Sequence, residues 1–202
     1  MKSMSRFPIK ASRTARDFVN NCGGVAAVEF AFILPLMLVL FFGTIDFSQG
    51  VAVSRKVTIM ARTLADLTSQ NTSVTTTQLD NFFTASTAVM TPYPAAPVQA
   101  TLSELYVDPS TLQARVQWSR GVATRAVSSP VSIPTQLQIG GTYLLMAEVS
   151  YLFVPTIGYV MAPSGIVLRD VAYTRPRQNL GTAAACVFYP PSTATSPVCP
   201  TS

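Results

Sequence analysis

The sequence predicts an α+β protein: a long N-terminal helix, membrane-spanning in its first half, packed on a small antiparallel β-sheet. Three observations carry this. The run VAAVEFAFILPLMLVLFFGTI at residues 25–45 is apolar apart from Glu29. After it, apolar residues recur at threes and fours through Val53, Val57, Met60, Leu64 and Leu67, the spacing of one helix face. Further on the period changes to two. LQARVQWS sets Leu112, Ala114, Val116 and Trp118 against Gln113, Arg115, Gln117 and Ser119, the pattern of a half-buried strand.

Residues 1–24 form a polar leader with no apolar periodicity. Lys2, Arg6, Lys10, Arg13 and Arg16 fall in it against a single acid, Asp17, while the rest of the chain is nearly neutral. A basic flank before an apolar span places the N-terminus in the cytoplasm. Topology accounts for these charges better than nucleic-acid binding, which calls for a patterned basic patch. Roughly 20 apolar residues at about 1.5 Å each match a bilayer core of about 30 Å. A secretory signal peptide has a shorter apolar region of about 7–15 residues ending in a small-x-small site. This run is longer, contains Pro35 and passes into GTIDFSQG without such a site, so an anchor is expected.

The helix is predicted over residues 25–70, with the transmembrane segment at 25–45, a kink at Pro35 and weak points at Gly43 and Gly50. Arg55, Arg62 and Asp66 fall off its apolar face. NTSVTTT ends it, because Asn, Ser and Thr compete for helix hydrogen bonds. A short helix follows over 77–90, burying Leu79, Phe82, Phe83 and Val89, and then a TPYPAAP turn or linker. ATLSELYV pairs with LQARVQWS through a turn at Asp108-Pro109-Ser110-Thr111. TYLLMAEVSYLFVP, apolar on both faces, reads as a central strand, and GIVLRDVAYTRP as a fourth. Residues 121–141 read as a long loop. The exported domain covers residues 71–202, with a Pro/Ser/Thr-rich tail lacking regular structure from about residue 186.

The chain holds three cysteines. Cys22 lies on the cytoplasmic side of the span and is expected reduced. Cys186 and Cys199 lie beyond it, in an oxidising compartment. Two readings stay open for them: a disulfide worth roughly 3 kcal/mol by loop closure, or two free thiols in the tail.

Catalysis is not expected. The chain has no histidine, the commonest general base and metal ligand. Its acids show no paired spacing, no phosphate-binding G-x-x-x-x-G-K-[ST] loop occurs, and the cysteines lack C-x-x-C spacing. No cofactor or metal is expected. Trp118 reads as core. Tyr151, Tyr159 and Tyr173 belong to the sheet core or an assembly surface, and Arg175 and Arg177 to a solvated strand end or to a surface that meets a partner's acids.

Glu29 is the anomaly, since a carboxylate inside a membrane segment costs about 2.5–3.5 kcal/mol. GVAAVEF before an apolar helix resembles the processing site of type IV prepilins and pseudopilins. In that pattern a membrane aspartyl peptidase cuts after a glycine, here Gly24. The mature chain then begins at Val25 with Glu29 at its fifth position, and Phe30 follows as in the Flp-type branch. AAVEFAFILPLMLVLFFGTIDF, with VAYTRPRQ near the end, resembles the TadE/TadG-like pilus-assembly family more narrowly. The chain is longer than the major Flp pilins. Asp46-Phe-Ser-Gln-Gly does not complete the Asp-x-Ser-x-Ser of longer TadG-like members, so a TadE-like minor pseudopilin fits best.

The resemblance implies a pilin-like, single-pass inner-membrane protein with a periplasmic C-terminal domain that helps assemble a Flp/Tad-type pilus for adhesion or surface colonisation. Incorporation into the extracellular fibre stays open. Its implied partners are a prepilin peptidase, other pilins and pseudopilins, the inner-membrane assembly platform and the lipid bilayer. Physics gives Glu29 a purpose in that setting. Cleavage creates an ammonium on Val25, and a carboxylate one helical turn along can pair with such an amine in the same or a neighbouring subunit. The alternative is an unprocessed, signal-anchored periplasmic module that binds a polysaccharide or small ligand, with Glu29 reaching the headgroups.

Overall fold

The computed structural model describes residues 23–155 and 164–178, together with Cys186, Val187 and Tyr189. The chain divides into two units, one ending at Ile45 and one beginning at Asp46.

Helix α1 runs over Gly23–Ser69 and continues as helix past Pro35, close to the predicted bounds. In the first unit its side chains are exposed on every face, from Val25 and Phe32 through Phe41. In the second unit it becomes one-sided. Val53, Val57, Met60 and Leu64 are fully buried, as the spacing predicts, and Ala61 and Ala65 join them. Arg55 and Arg62 are exposed and Asp66 is half-buried.

Helix α2 covers Thr76–Thr87, and a 3-10 turn over Ala88–Met90 extends it. It starts with a capping box. The Thr75 hydroxyl accepts from the Gln78 N–H at 3.3 Å, and the Gln78 side chain accepts from the Thr75 N–H at 2.8 Å. Such reciprocal bonds satisfy donors that a helix start otherwise leaves orphaned. Leu79 is buried and Phe82 and Phe83 pack at the core's edge, but Met90 takes the core position that the sequence assigned to Val89. Lys56 holds this segment to α1, donating to the carbonyls of Val89 and Thr91 at 2.9 and 2.7 Å.

Five antiparallel strands form one sheet in the order β3-β2-β1-β4-β5, with β1 over Val98–Val107, β2 over Ala114–Gly121, β3 over Pro130–Val131, β4 over Tyr143–Phe153 and β5 over Ile166–Thr174. Strand β4, apolar on both sides as expected, alternates between two cores. Leu145, Ala147 and Val149 pack with α1 and α2, while Leu144 and Met146 pack on the opposite face with Val107, Val116 and Ile133.

Four details depart from the sequence reading. First, Ala114, Val116 and Trp118 are all buried, but not on one face. Glu104 pairs with Trp118 and Leu105 with Val116, which leaves Gln117 without an opposite residue. This β-bulge reverses the side-chain phase, so Trp118 joins the helix-side core while Ala114 and Val116 enter the other. Second, Leu112 lies before β2, exposed and at φ 57° in the turn. The turn is set by Asp108, whose carboxylate accepts from the N–H groups of Ser110 and Thr111 at 2.7 and 3.2 Å. Third, residues 121–141 contain β3 and a 3-10 turn over Thr135–Leu137, because Val131, Ile133 and Leu137 cover the second core. Fourth, the described residues at the start of the tail belong to the core, whereas the rest of the tail lies outside the described residues. Cys186, Val187 and Tyr189 are buried.

Candidate functional site

The motif residues all lie on the first turns of α1. Gly24, Val25, Glu29 and Phe30 are exposed, and among the described residues nothing beyond its own stretch of helix lies within 4 Å of the position a Cβ on Gly24 would take. Val25 and Glu29 stand four residues apart in continuous helix, so they occupy one face with Cβ atoms about 5–6 Å apart. Phe30 lies about 100° further round, by the 3.6-residue turn. Within the described residues α1 is the one helix long and apolar enough to cross a membrane, and none of its apolar window is buried by the chain itself. That is the character of a single-pass membrane anchor.

A second organised centre lies inside the unit that begins at Asp46. Glu104 on β1 is fully buried. The Trp118 indole N–H is shared between Glu104 Oε2 at 2.8 Å and the Val187 carbonyl at 2.9 Å, and the Val187 N–H donates to Glu104 Oε1 at 2.6 Å. Burial pushes the Glu104 pKa up to about 8, with the N–H donors of Val187 and Trp118 acting against the rise. Tyr189 lays its ring against Trp118 at a centroid distance of 5.3 Å. Cys186 packs with Tyr143 and Tyr106, and it is disulfide-bonded.

Residues 24–66 match the family model described as TadE-like protein. Over this segment the chain is TadE-like. The match begins at Gly24 and takes in both the exposed apolar turns and most of the one-sided continuation of α1. It relates the chain, in general terms, to pilus assembly of the Tad type. No curated protein and no solved structure matches the chain.

The structure therefore brings Gly24, Val25, Glu29 and Phe30 together at the start of the TadE-like helix. Cys199 and Tyr159 lie outside the described residues. Tyr151 is buried in the helix-side core and Tyr173 half-buried against the other. Arg175 and Arg177 are both exposed, as expected of a solvated end, and Arg177 also forms an ion pair with Asp66 and donates its backbone N–H to the Ser69 carbonyl at 2.9 Å. That contact closes one of the orphan carbonyls at the end of α1.

Sequence reasoning missed Glu104. Its signal was present: Ala100, Leu102 and Glu104 share one phase of β1, so the glutamate stands where the alternation calls for an apolar residue. An open cleft of about 450 Å³ on the domain surface is lined by Gln99, Arg125, Glu148 and Arg169 among others. Arg125 spends both its charge and its geometry on Glu148, through bonds of 3.1 and 2.7 Å.

Proposed function

We propose that the chain is a minor pseudopilin of a Flp/Tad-type pilus, matured by a prepilin peptidase that cuts between Gly24 and Val25. The observation that carries this is the TadE-like match beginning at Gly24 and covering the helix that holds Glu29. Two physical points support it. A glycine inside a helix costs about 1 kcal/mol relative to alanine, and the open space around Gly24 gives the fold no reason to require one. The demand for a small residue then comes from outside the chain, as a protease subsite would impose. Glu29 lies one turn from the amine that cleavage would create, and in the first turns of the mature helix, where the dipole favours an anion.

In this reading the protein works by interaction rather than catalysis. Its partners are the peptidase, other pilins and pseudopilins and the inner-membrane assembly platform. Its apolar turns pack laterally in the bilayer, and the domain from Asp46 onwards lies in the periplasm. The test is N-terminal sequencing and intact mass of the membrane-extracted protein, with and without a cognate prepilin peptidase. A chain beginning at Val25 only when the peptidase is present is the expected result. A leader retained in both samples overturns the processing. It would favour instead an anchored binding module, for which the cleft at Gln99, Arg125 and Arg169 is the place to screen polysaccharides.

A further inference from the structure

We propose that one end of the exported domain, carrying Phe47, Val51, Leu152, Val154, Ile166 and Val167, rests in the headgroup layer of the bilayer that α1 crosses. The proposal rests on the reading of α1 as a membrane span. It adds a lipid-facing surface on the folded domain itself, distinct from the span.

The six side chains are exposed, Phe47 by 75% and Ile166 and Val167 by 50% each. They belong to one region. Leu152 pairs with Val167 and Phe153 with Ile166 across β4 and β5. Gly165 closes the same corner, since a Cβ there would stand 3.1 Å from Leu152 Cδ1 and 3.0 Å from Val154 Cγ2. The Phe153 ring lies 3.5 Å from the position of a Gly50 Cβ, which joins this corner to the turn of α1 that carries Phe47 and Val51.

Chain continuity says what covers the patch. Helix α1 is unbroken from the apolar run into Asp46 and beyond. Val51 therefore follows the end of that run at Ile45 by six residues, an axial rise of about 9 Å. In sequence, Phe47 and Val51 are the first exposed large apolar residues after the proposed span. Charge agrees with this placement: no charged residue occurs between Glu148 and Arg169, and Asp46, next to Phe47, is buried. At the other end of β1, by contrast, the β1–β2 turn is exposed and polar, built on Asp108, Ser110 and Thr111. Exposed apolar residues scattered singly need no explanation, but here they gather at one end of the domain, Leu152 and Val167 on the sheet face turned away from α1 and Phe47 and Val51 on α1 itself. An amphipathic helix lying on a bilayer buries its apolar face about 5–10 Å into the boundary between headgroups and acyl chains, and a comparable depth is expected of this end of the domain.

The experiment uses the full chain reconstituted in phosphatidylcholine vesicles, with and without phosphatidylcholine brominated in the upper acyl chain. The chain has one tryptophan, Trp118, which is buried and supplies a constant background. Val154→Trp and Val167→Trp report on the patch, Leu112→Trp on the opposite end of the sheet and Phe41→Trp on the span. Bromolipid quenching of the two patch tryptophans is expected to exceed that of Leu112→Trp about twofold or more. Circular dichroism checks each variant's fold. The two patch sites lie on separate stretches of backbone, so a misfolded variant at one leaves the other to decide. Patch tryptophans quenched no more than Leu112→Trp, while Phe41→Trp is quenched, overturn the lipid contact, leave the span standing and assign the patch to a protein partner. An unquenched Phe41→Trp removes the span, and this proposal with it.

Discussion

The indole N–H of Trp118 meets Glu104 Oε2 at 2.8 Å, inside a core where both partners are buried. With Val187 on the other oxygen, the carboxyl group is closed off from water by a residue that follows it by 83 positions. This arrangement has a measurable pH signature. Folding raises the Glu104 pKa from 4.5 to about 8, so the native state holds the proton more tightly than the unfolded chain. The stability this supplies is fully present below about pH 4.5 and is lost as pH rises through about 8. The melting temperature of the detergent-solubilised protein should therefore fall between about pH 5 and pH 9, and Glu104→Gln should flatten that decline. Parallel profiles for the two proteins would show that Glu104 does not carry it.

Gly121 ends β2 at φ +135°, and a Cβ there would stand 2.3 Å from the Ala100 carbonyl oxygen and 2.7 Å from Thr101 Cα. Both neighbours are backbone and cannot step aside. Gly121→Ala should cost about 3 kcal/mol or more. Gly141 also has a positive φ, at +75°, but open space around it, so Gly141→Ala should cost only about 1 kcal/mol. Thermal melts of the two variants side by side test the distinction between clash and conformational strain.

Cys186 is disulfide-bonded, and Cys199 is the partner expected from compartment. Alkylation of the unreduced protein should then label Cys22 alone, and Cys199→Ser should make Cys186 reactive. The same substitution should cost about 3 kcal/mol by loop-closure entropy. If Cys22→Ser exposes Cys186 instead, the pairing is wrong and so is the placement of Cys22 across the membrane from it.

Gly24→Leu should insert normally and accumulate with its leader attached, read as the heavier band beside the peptidase-treated parent. Glu29→Ala should still be cleaved and membrane-bound but recover fewer partner pilins in pulldown. Removing a charge from the apolar run should favour insertion by about 2–3 kcal/mol. A loss of partner capture thus separates recruitment from anchoring. Normal capture would leave Glu29 with no pairing role.

Much of this fold was legible because its helices are repetitive. The uniform run at 25–45 and the threes and fours from Val53 to Leu64 leave little choice for α1. T-x-x-Q at Thr75 and Gln78 would have placed the start of α2 to the residue, had the capping box been read. The sheet was harder. A bulge at Gln117 adds one residue and inverts every side chain after it, and alternation alone cannot reveal that. Leu112 looked like strand because it is apolar and in phase, yet the Asp108 turn needs it at positive φ. The closing residues Cys186 to Tyr189 were lost in a Pro/Ser/Thr-rich context, since local composition carries no trace of a partner as distant as Glu104. At the motif, Gly24 and Glu29 were legible because each is locally unfavourable where it stands.

The distance in sequence between Glu104 and Val187 also sets a clock. Synthesis completes Glu104, on β1, 83 residues before it reaches Val187. Until then Glu104 lacks the Val187 N–H, and the Trp118 indole lacks one of its two acceptors, the Val187 carbonyl. Glu104 and Trp118 therefore gain their full set of bonds only once Val187 is in place, and a chain cut short before it would leave a buried carboxyl group without one of its two donors.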